Sequence, residues 1–149
     1  MKYIYLVVLF VGFVSLLAYC NQSSGERFNR RNEVMLNRLV IKGRVLNIKT
    51  SGNHNFGILL LEVDSINIAD FVDTVLKEGI YPYKIKNDKA EVYLNVPDGL
   101  KEGDEAIVNS DKKTVVYYYK AENRRAESDI WVINDPYNIE YVKENTLFK

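Results

Sequence analysis

The side chains with chemistry within reach are a lone histidine, a pair of acids, a set of aromatic residues and one thiol. His54 is the only histidine and sits in the loop SGNHNFG. One histidine cannot build a His-rich metal site, and its neighbours Asn53 and Asn55 supply neither a further ligand nor an acid to orient it as a base. It reads as an exposed turn residue and a candidate ligand contact. Glu62 and Asp64 stand two apart in ILLLEVD. On a strand such residues share a face at about 7 Å, inside the roughly 5–9 Å range that paired carboxylates use across a glycosidic bond. That spacing admits a small glycan-acting hydrolase, although acids on a solvated hairpin face are the ordinary outcome. A serine nucleophile elbow, a glycine-rich phosphate loop and HExxH are all missing from the sequence. The expectation is therefore a non-catalytic protein without a metal or cofactor, with the glycan hydrolase as the alternative.

Most of the 11 tyrosines lie beyond residue 80, including Tyr81, Tyr83, Tyr93 and the run Tyr117-Tyr118-Tyr119, followed by Trp131. In a strand Tyr117 and Tyr119 face one way and Tyr118 the other. Tyrosine suits strands with its ring in the core and its hydroxyl at the rim. Exposed aromatic rings also serve sites that stack on sugars or grip proteins. Tyr117, Tyr119 and Trp131 thus join His54 as candidate ligand contacts.

The single cysteine, Cys20, stands where an apolar segment ends. Met1 and Lys2 give a positive start, and Tyr3 to Tyr19 carry no charge. As a helix that stretch spans roughly 25 Å, slightly short of a ~30 Å hydrocarbon core. A positive start, an apolar run and small residues near its end describe a secretory signal peptide. Arg27, Arg30 and Arg31 lie beyond the segment and only Lys2 and the amino terminus before it, so the positive-inside rule does not favour a stable N-in span. Leu17-Ala18-Tyr19-Cys20 resembles a bacterial lipobox, with Leu at the third position back, a small residue at the second, and Tyr19 where the pattern has Gly, Ala or Ser. The resemblance implies cleavage before Cys20 and acylation of its thiol. Two or more acyl chains give stable anchoring where one gives only marginal binding. Ordinary cleavage, an uncleaved anchor and an idle thiol are the rival readings. Asp64-Ser65-Ile66 and Asp73-Thr74-Val75 resemble the Asp-Ser/Thr-apolar glycosylation sites of exported Bacteroidetes-type proteins. The chain as a whole resembles a small Bacteroidetes-like lipoprotein of unknown function.

With 20 basic and 20 acidic residues the formal charge is +0. The basic doublets Arg30-Arg31, Lys112-Lys113 and Arg124-Arg125 are scattered among acids, whereas nucleic-acid binders concentrate a basic face. No nucleic-acid partner is expected. Beyond residue 19 about 130 residues remain, enough for one domain that buries roughly two-thirds of its unfolded surface without disulfides.

The elements that must position these side chains are mostly strands. Residues 1–19 form the signal segment, 20–37 a tether with a short helix, and 38–149 a β-rich domain. LVIKGRVLNI alternates as a half-buried strand, and Gly43 on its inner face permits sharp coiling. ILLLEVD pairs with it as a hairpin. DFVDTVLKEG has the pattern of a short helix, with Asp70 as N-cap and Gly79 in the C-terminal left-handed position. In YPYKIKNDKAEVYLNV, a two-residue Asn87-Asp88 turn sets Lys86 against Lys89, Ile85 against Ala90, Lys84 against Glu91 and Tyr83 against Val92; the like charges of Lys86 and Lys89 leave a looser four-residue loop as the alternative. GLKEGDEAIVN, with Gly103 at positive φ, resembles loops entering strands of OB-like and SH3-like barrels. TVVYYYK and IWVIND read as the last strands, with Pro136 ending the second. The fold class is mainly β: a small antiparallel barrel or sandwich with one short accessory helix. The expected role is a lipid-anchored module of the cell envelope, in the outer membrane or on a periplasmic face, that contacts an envelope protein or glycan.

Overall fold

The computed structural model describes residues 2–68, 76 and 78–148. They form two compact units, divided between Val34 and Met35.

The first unit is one helix, α1 (Lys2–Asn32), of 31 residues, roughly 46 Å long at ~1.5 Å per residue. It is long and apolar enough to cross a membrane, a property that N-terminal signal sequences share. The helix does not stop at Cys20. The polar stretch expected to be a tether is helical, and side-chain bonds one turn apart support it. Gln22 Nε2 donates to Glu26 Oε1 (3.4 Å), Arg27 Nε to the Ser23 carbonyl (3.3 Å), and Asn32 Nδ2 to the Phe28 carbonyl (2.8 Å). Arg30 and Arg31 occupy the last turn, where the helix dipole favours positive charge.

A 3-10 turn (Glu33–Met35) spans the division, and from Met35 the second unit runs through β1 (Val40–Thr50), β2 (Phe56–Ile66), β3 (Tyr83–Lys86), β4 (Lys89–Asn95), β5 (Glu105–Asn109), β6 (Thr114–Tyr119), β7 (Arg124–Asp129) and α2 (Pro136–Asn145). The strands make one antiparallel sheet in the order β3-β4-β2-β1-β5-β6-β7. The mainly-β antiparallel class holds. Closure does not: β3 and β7, at the two edges, share no ladder. An isolated bridge between Ile80 and Ile133 ties the chain entering β3 to the chain leaving β7. That bridge lies outside both edge strands, and the sheet stays open.

Two irregularities in the β1–β2 ladder, between Lys42 and Gly43 and between Val45 and Asn47, mark where β1 bends. At Gly43 a Cβ would run into the Glu62 carbonyl oxygen and stand 3.2 Å from Leu61 Cβ. The close approach of the two backbones requires glycine there. The curl encloses one core, with Ile41, Val45, Leu59, Leu61, Val92, Val108 and Tyr117 all fully or almost fully buried. The hairpin of β3 and β4 has the expected register at every pair from Tyr83–Val92 to Lys86–Lys89, with Asn87 at φ 58° in the turn. Gly103 takes φ 91°.

The last strand lies elsewhere than the sequence suggests. IWVIND is not in the sheet; β7 is the polar segment RRAESD just before it. Ala126 and Ser128 of β7 are half-buried toward the core while Arg125, Glu127 and Asp129 are exposed, but a small alanine and a serine at the inward positions give the sequence no apolar alternation to find. Its ladder to β6 and the Arg124 guanidinium over the Tyr119 ring (3.8 Å) hold it. Charged side chains on such an edge also discourage pairing with other chains. The apolar residues Ile130, Val132 and Ile133 instead run past the end of the ladder as an extended plug, all buried.

Pro136 begins a helix instead of merely ending a strand. Asp135 caps α2, its Oδ1 accepting from the Asn138 N–H (2.9 Å), and Pro136 follows in the first turn. A 10-residue helix is marginal alone. Packing holds it, with Val142, Ile139 and Tyr141 covering Phe56, Ile58 and Tyr93 on the outer face of β2 and β4. Each fully buried side chain of this size contributes about 1.5–3 kcal/mol. This second layer explains why Phe56 to Leu61 are buried on both faces of β2. The helix read from DFVDTVLKEG falls mostly on residues 69–75 and 77, outside the described residues, as does the Asp73-Thr74-Val75 triplet. Gly79, beyond it, has φ 85°.

Candidate functional site

A cleft of about 670 Å³ opens where four parts of the second unit converge. The β1–β2 turn brings Asn53 and His54. The end of β4 brings Tyr93 and Asn95, the end of β7 brings Ser128 and Asp129, the chain after it brings residues 130, 131 and 133–135, and the first turn of α2 brings Asn138.

The turn is tight for a clear reason. The Phe56 N–H donates to the Asn53 carbonyl at 2.8 Å, and the two residues between, His54 and Asn55, take φ 48° and 56°. That left-handed pair is what a hairpin turn matching the strand twist demands, and Asn and His tolerate it better than most residues. The His54 ring is thereby held at the cleft mouth, exposed. Asn53 Nδ2 donates to Asn138 Oδ1 (3.0 Å), which fixes the turn to α2.

Trp131 forms part of the opposite wall and is 39% exposed. It follows β7 directly, and the flanking Ile130 and Val132 point into the core and anchor it. Phe56 and Ile133 supply apolar floor, while Asn95, Asn134, Asp129 and Asp135 supply polar groups. The side chains of Asn95, Asp129 and Asn134 make no hydrogen bond to other described residues, so their amide and carboxylate groups are free for a ligand. Among the described lining residues there is no lysine or arginine.

The structure brings together His54 and Trp131, which lie far apart in sequence. It does not bring Tyr117 or Tyr119 to them. Both are core residues, 0% and 2% exposed, on the inner face of β6. Tyr117 OH and Ser128 Oγ share a hydrogen bond of 3.0 Å, and the two rings stand 6.5 Å apart. Burial pushes the Tyr117 hydroxyl pKa up to about 12, a group held neutral in the interior. Tyr118 faces out instead, with Arg125 6.0 Å from its ring centre. Tyr117 and Tyr119 are thus core side chains and do not line the cleft, unlike His54 and Trp131.

Glu62 and Asp64 lie outside the cleft. Glu62 faces Arg44 at 3.6 Å with both side chains about half exposed, and Asp64 is exposed beside the β1–β2 irregularity. Ser65 is exposed next to it. Cys20 is exposed midway along α1. Among the described residues, no group of 3 or more His, Cys, Asp and Glu side chains could hold a metal ion.

Sequence reasoning missed Asn95, Asp129, Asn134 and Asn138. Each is an ordinary polar residue at an element end, and only the meeting of β4, α2 and the chain after β7 makes them neighbours. The chain matches no protein-family model, no curated protein and no solved structure.

Proposed function

We propose that this protein is a lipid-anchored, non-catalytic binding module of the bacterial cell envelope, tethered through Cys20 and presenting the cleft of its β unit to an envelope ligand. The observation that carries the reading is the N-terminal apolar helix whose segment Leu17-Ala18-Tyr19-Cys20 places an exposed thiol at the end of the uncharged run. Cleavage before Cys20 would free that residue's amino group and thiol for acylation, and multiple chains anchor stably. The second unit supports a binding role because its cleft combines apolar floor, an accessible indole and unengaged amides, the usual make-up of a ligand site. The unit needs no disulfide, consistent with a lone cysteine committed to lipid.

Substituting Cys20→Ala in the full chain tests the anchor. Metabolic labelling with a fatty-acid analogue and detergent-phase partitioning should both be lost, with precursor accumulating. Unchanged labelling in the variant refutes the assignment of Cys20.

A further inference from the structure

We infer that the cleft bounded by His54, Trp131 and Asn138 binds a neutral oligosaccharide. The proposal deepens the binding-module reading and rests on it. Three features of the cleft select this ligand class. The first is Trp131, 39% exposed in the wall. A sugar ring has one face of C–H groups that packs on an aromatic plane, and tryptophan offers the largest such surface. The second is the polar set around it. Asn95 and Asn134 each carry two N–H donors and a carbonyl acceptor, and Asp129 adds a carboxylate acceptor. Hydroxyl groups both donate and accept, so donors and acceptors side by side match a sugar rim. The third is charge. Asp129 and Asp135 line the cleft and no lysine or arginine does among the described residues, which disfavours phosphates, uronates and other anions.

The cleft is also rigid where it must grip. His54 sits in a hydrogen-bonded left-handed turn, Asn138 is in a capped helix, and Trp131 lies between two buried residues. Preorganised walls of this kind lower the ordering cost that weak sugar binding cannot bear. At about 670 Å³ the space is that of a ligand site of ordinary size, large enough for two or more sugar rings.

Trp131 is the only tryptophan in the chain, so its fluorescence reports on this cleft alone. The full chain, solubilised in a zwitterionic detergent without a sugar headgroup, is titrated with tetrasaccharides of β-glucose, β-N-acetylglucosamine, β-galactose and α-mannose. Trigalacturonate serves as the anionic counterpart. At least one neutral tetrasaccharide should give a saturable change in emission below about 10 mM, and trigalacturonate should bind at least about tenfold more weakly. By calorimetry, Trp131→Ala should weaken binding of the same sugar about tenfold or more, while Trp131→Phe, which keeps a ring, should retain most of it. Asp129→Asn, which replaces a charged acceptor with an amide, should weaken neutral binding by less than Trp131→Ala does and narrow the discrimination against trigalacturonate. The proposal is overturned if no neutral sugar alters the emission while acrylamide quenches it, or if the anionic sugar binds as well as the neutral ones. Labelling of Cys20 does not depend on sugar. A null titration with intact labelling removes the oligosaccharide and leaves the anchored module, and lost labelling with a positive titration does the reverse.

Discussion

Glu91 is a buried carboxylate, 1% exposed, on the outer face of β4, and it fastens the end of α2 to the sheet. Its Oε2 accepts from Tyr93 OH (2.9 Å) and from Thr146 Oγ1 (2.6 Å), and its Oε1 from the Leu147 N–H (2.8 Å). Thr146 is the C-cap of α2, its own N–H bonded to the Val142 carbonyl. Hydrogen bonds to a charged acceptor contribute about 1.5–3 kcal/mol each, but Thr146 and Leu147 lie near the surface and can turn to water once the carboxylate is gone. Glu91→Ala should therefore cost about 2–4 kcal/mol, less than the sum of three such bonds. Glu91→Gln differs in an informative way. Both groups at Oε2 are hydroxyls, which accept as well as donate, so an amide nitrogen placed there finds partners while Oε1 still accepts from Leu147. That variant should lose no more than about 1.5 kcal/mol, the part owed to charge. Urea unfolding of the full chain gives both values, and amide exchange at Thr146 and Leu147 locates the effect. If Glu91→Ala changes stability by less than about 0.5 kcal/mol and leaves exchange at those amides unaltered, the clamp on α2 does not exist. Because Asn138 lines the cleft from the first turn of the same helix, Glu91→Ala should also weaken any ligand bound there.

Alkaline titration should separate the buried tyrosines from the rest. Burial pushes Tyr83 and Tyr117 up to about 12 from the ordinary 10.0. A raised folded-state pKa gives stability that is whole below the unfolded value and is lost as pH rises towards the folded one. Unfolding free energy should thus fall between about pH 10 and 12 by on the order of 2–3 kcal/mol per group, with late tyrosinate absorbance accompanying unfolding. Simultaneous ionisation of all tyrosines near pH 10 without loss of structure would contradict their burial. Gly43→Ala should destabilise by about 1–3 kcal/mol, because the new Cβ meets the Glu62 backbone and the β1–β2 ladder must spread. A neutral or stabilising result in urea unfolding would show that the strands do not approach so closely.

The readable parts of the fold are those whose cause is local. The β3–β4 hairpin has its expected register because the Asn87-Asp88 turn fixes it and the alternating side chains confirm one face. Gly103 takes positive φ because no side chain stands in the way. Apolar alternation misled at residues 130–135, since an extended segment buried at the end of a sheet has the same pattern as a strand within it. RRAESD was illegible for the converse reason. An edge strand whose inward positions hold only Ala126 and Ser128 carries no apolar periodicity, and its backbone ladder to β6 identifies it. The tyrosine run was ambiguous as sequence because alternation says which residues share a face and not which face is the inner one. The direction of sheet curl turns Tyr117 and Tyr119 inward and leaves Tyr118 outside.

By itself the sequence determined the mainly antiparallel β character, the uncharged segment ending at Cys20, and the lack of any second cysteine to pair with it. These follow from periodicity, composition and count, which need no knowledge of distant contacts. Tertiary structure alone decided that the sheet curls without closing, that α2 covers its outer face, and that His54 and Trp131 share a cleft. Those features depend on contacts between residues far apart in the chain, where packing and loop geometry select the partners and no local pattern encodes them.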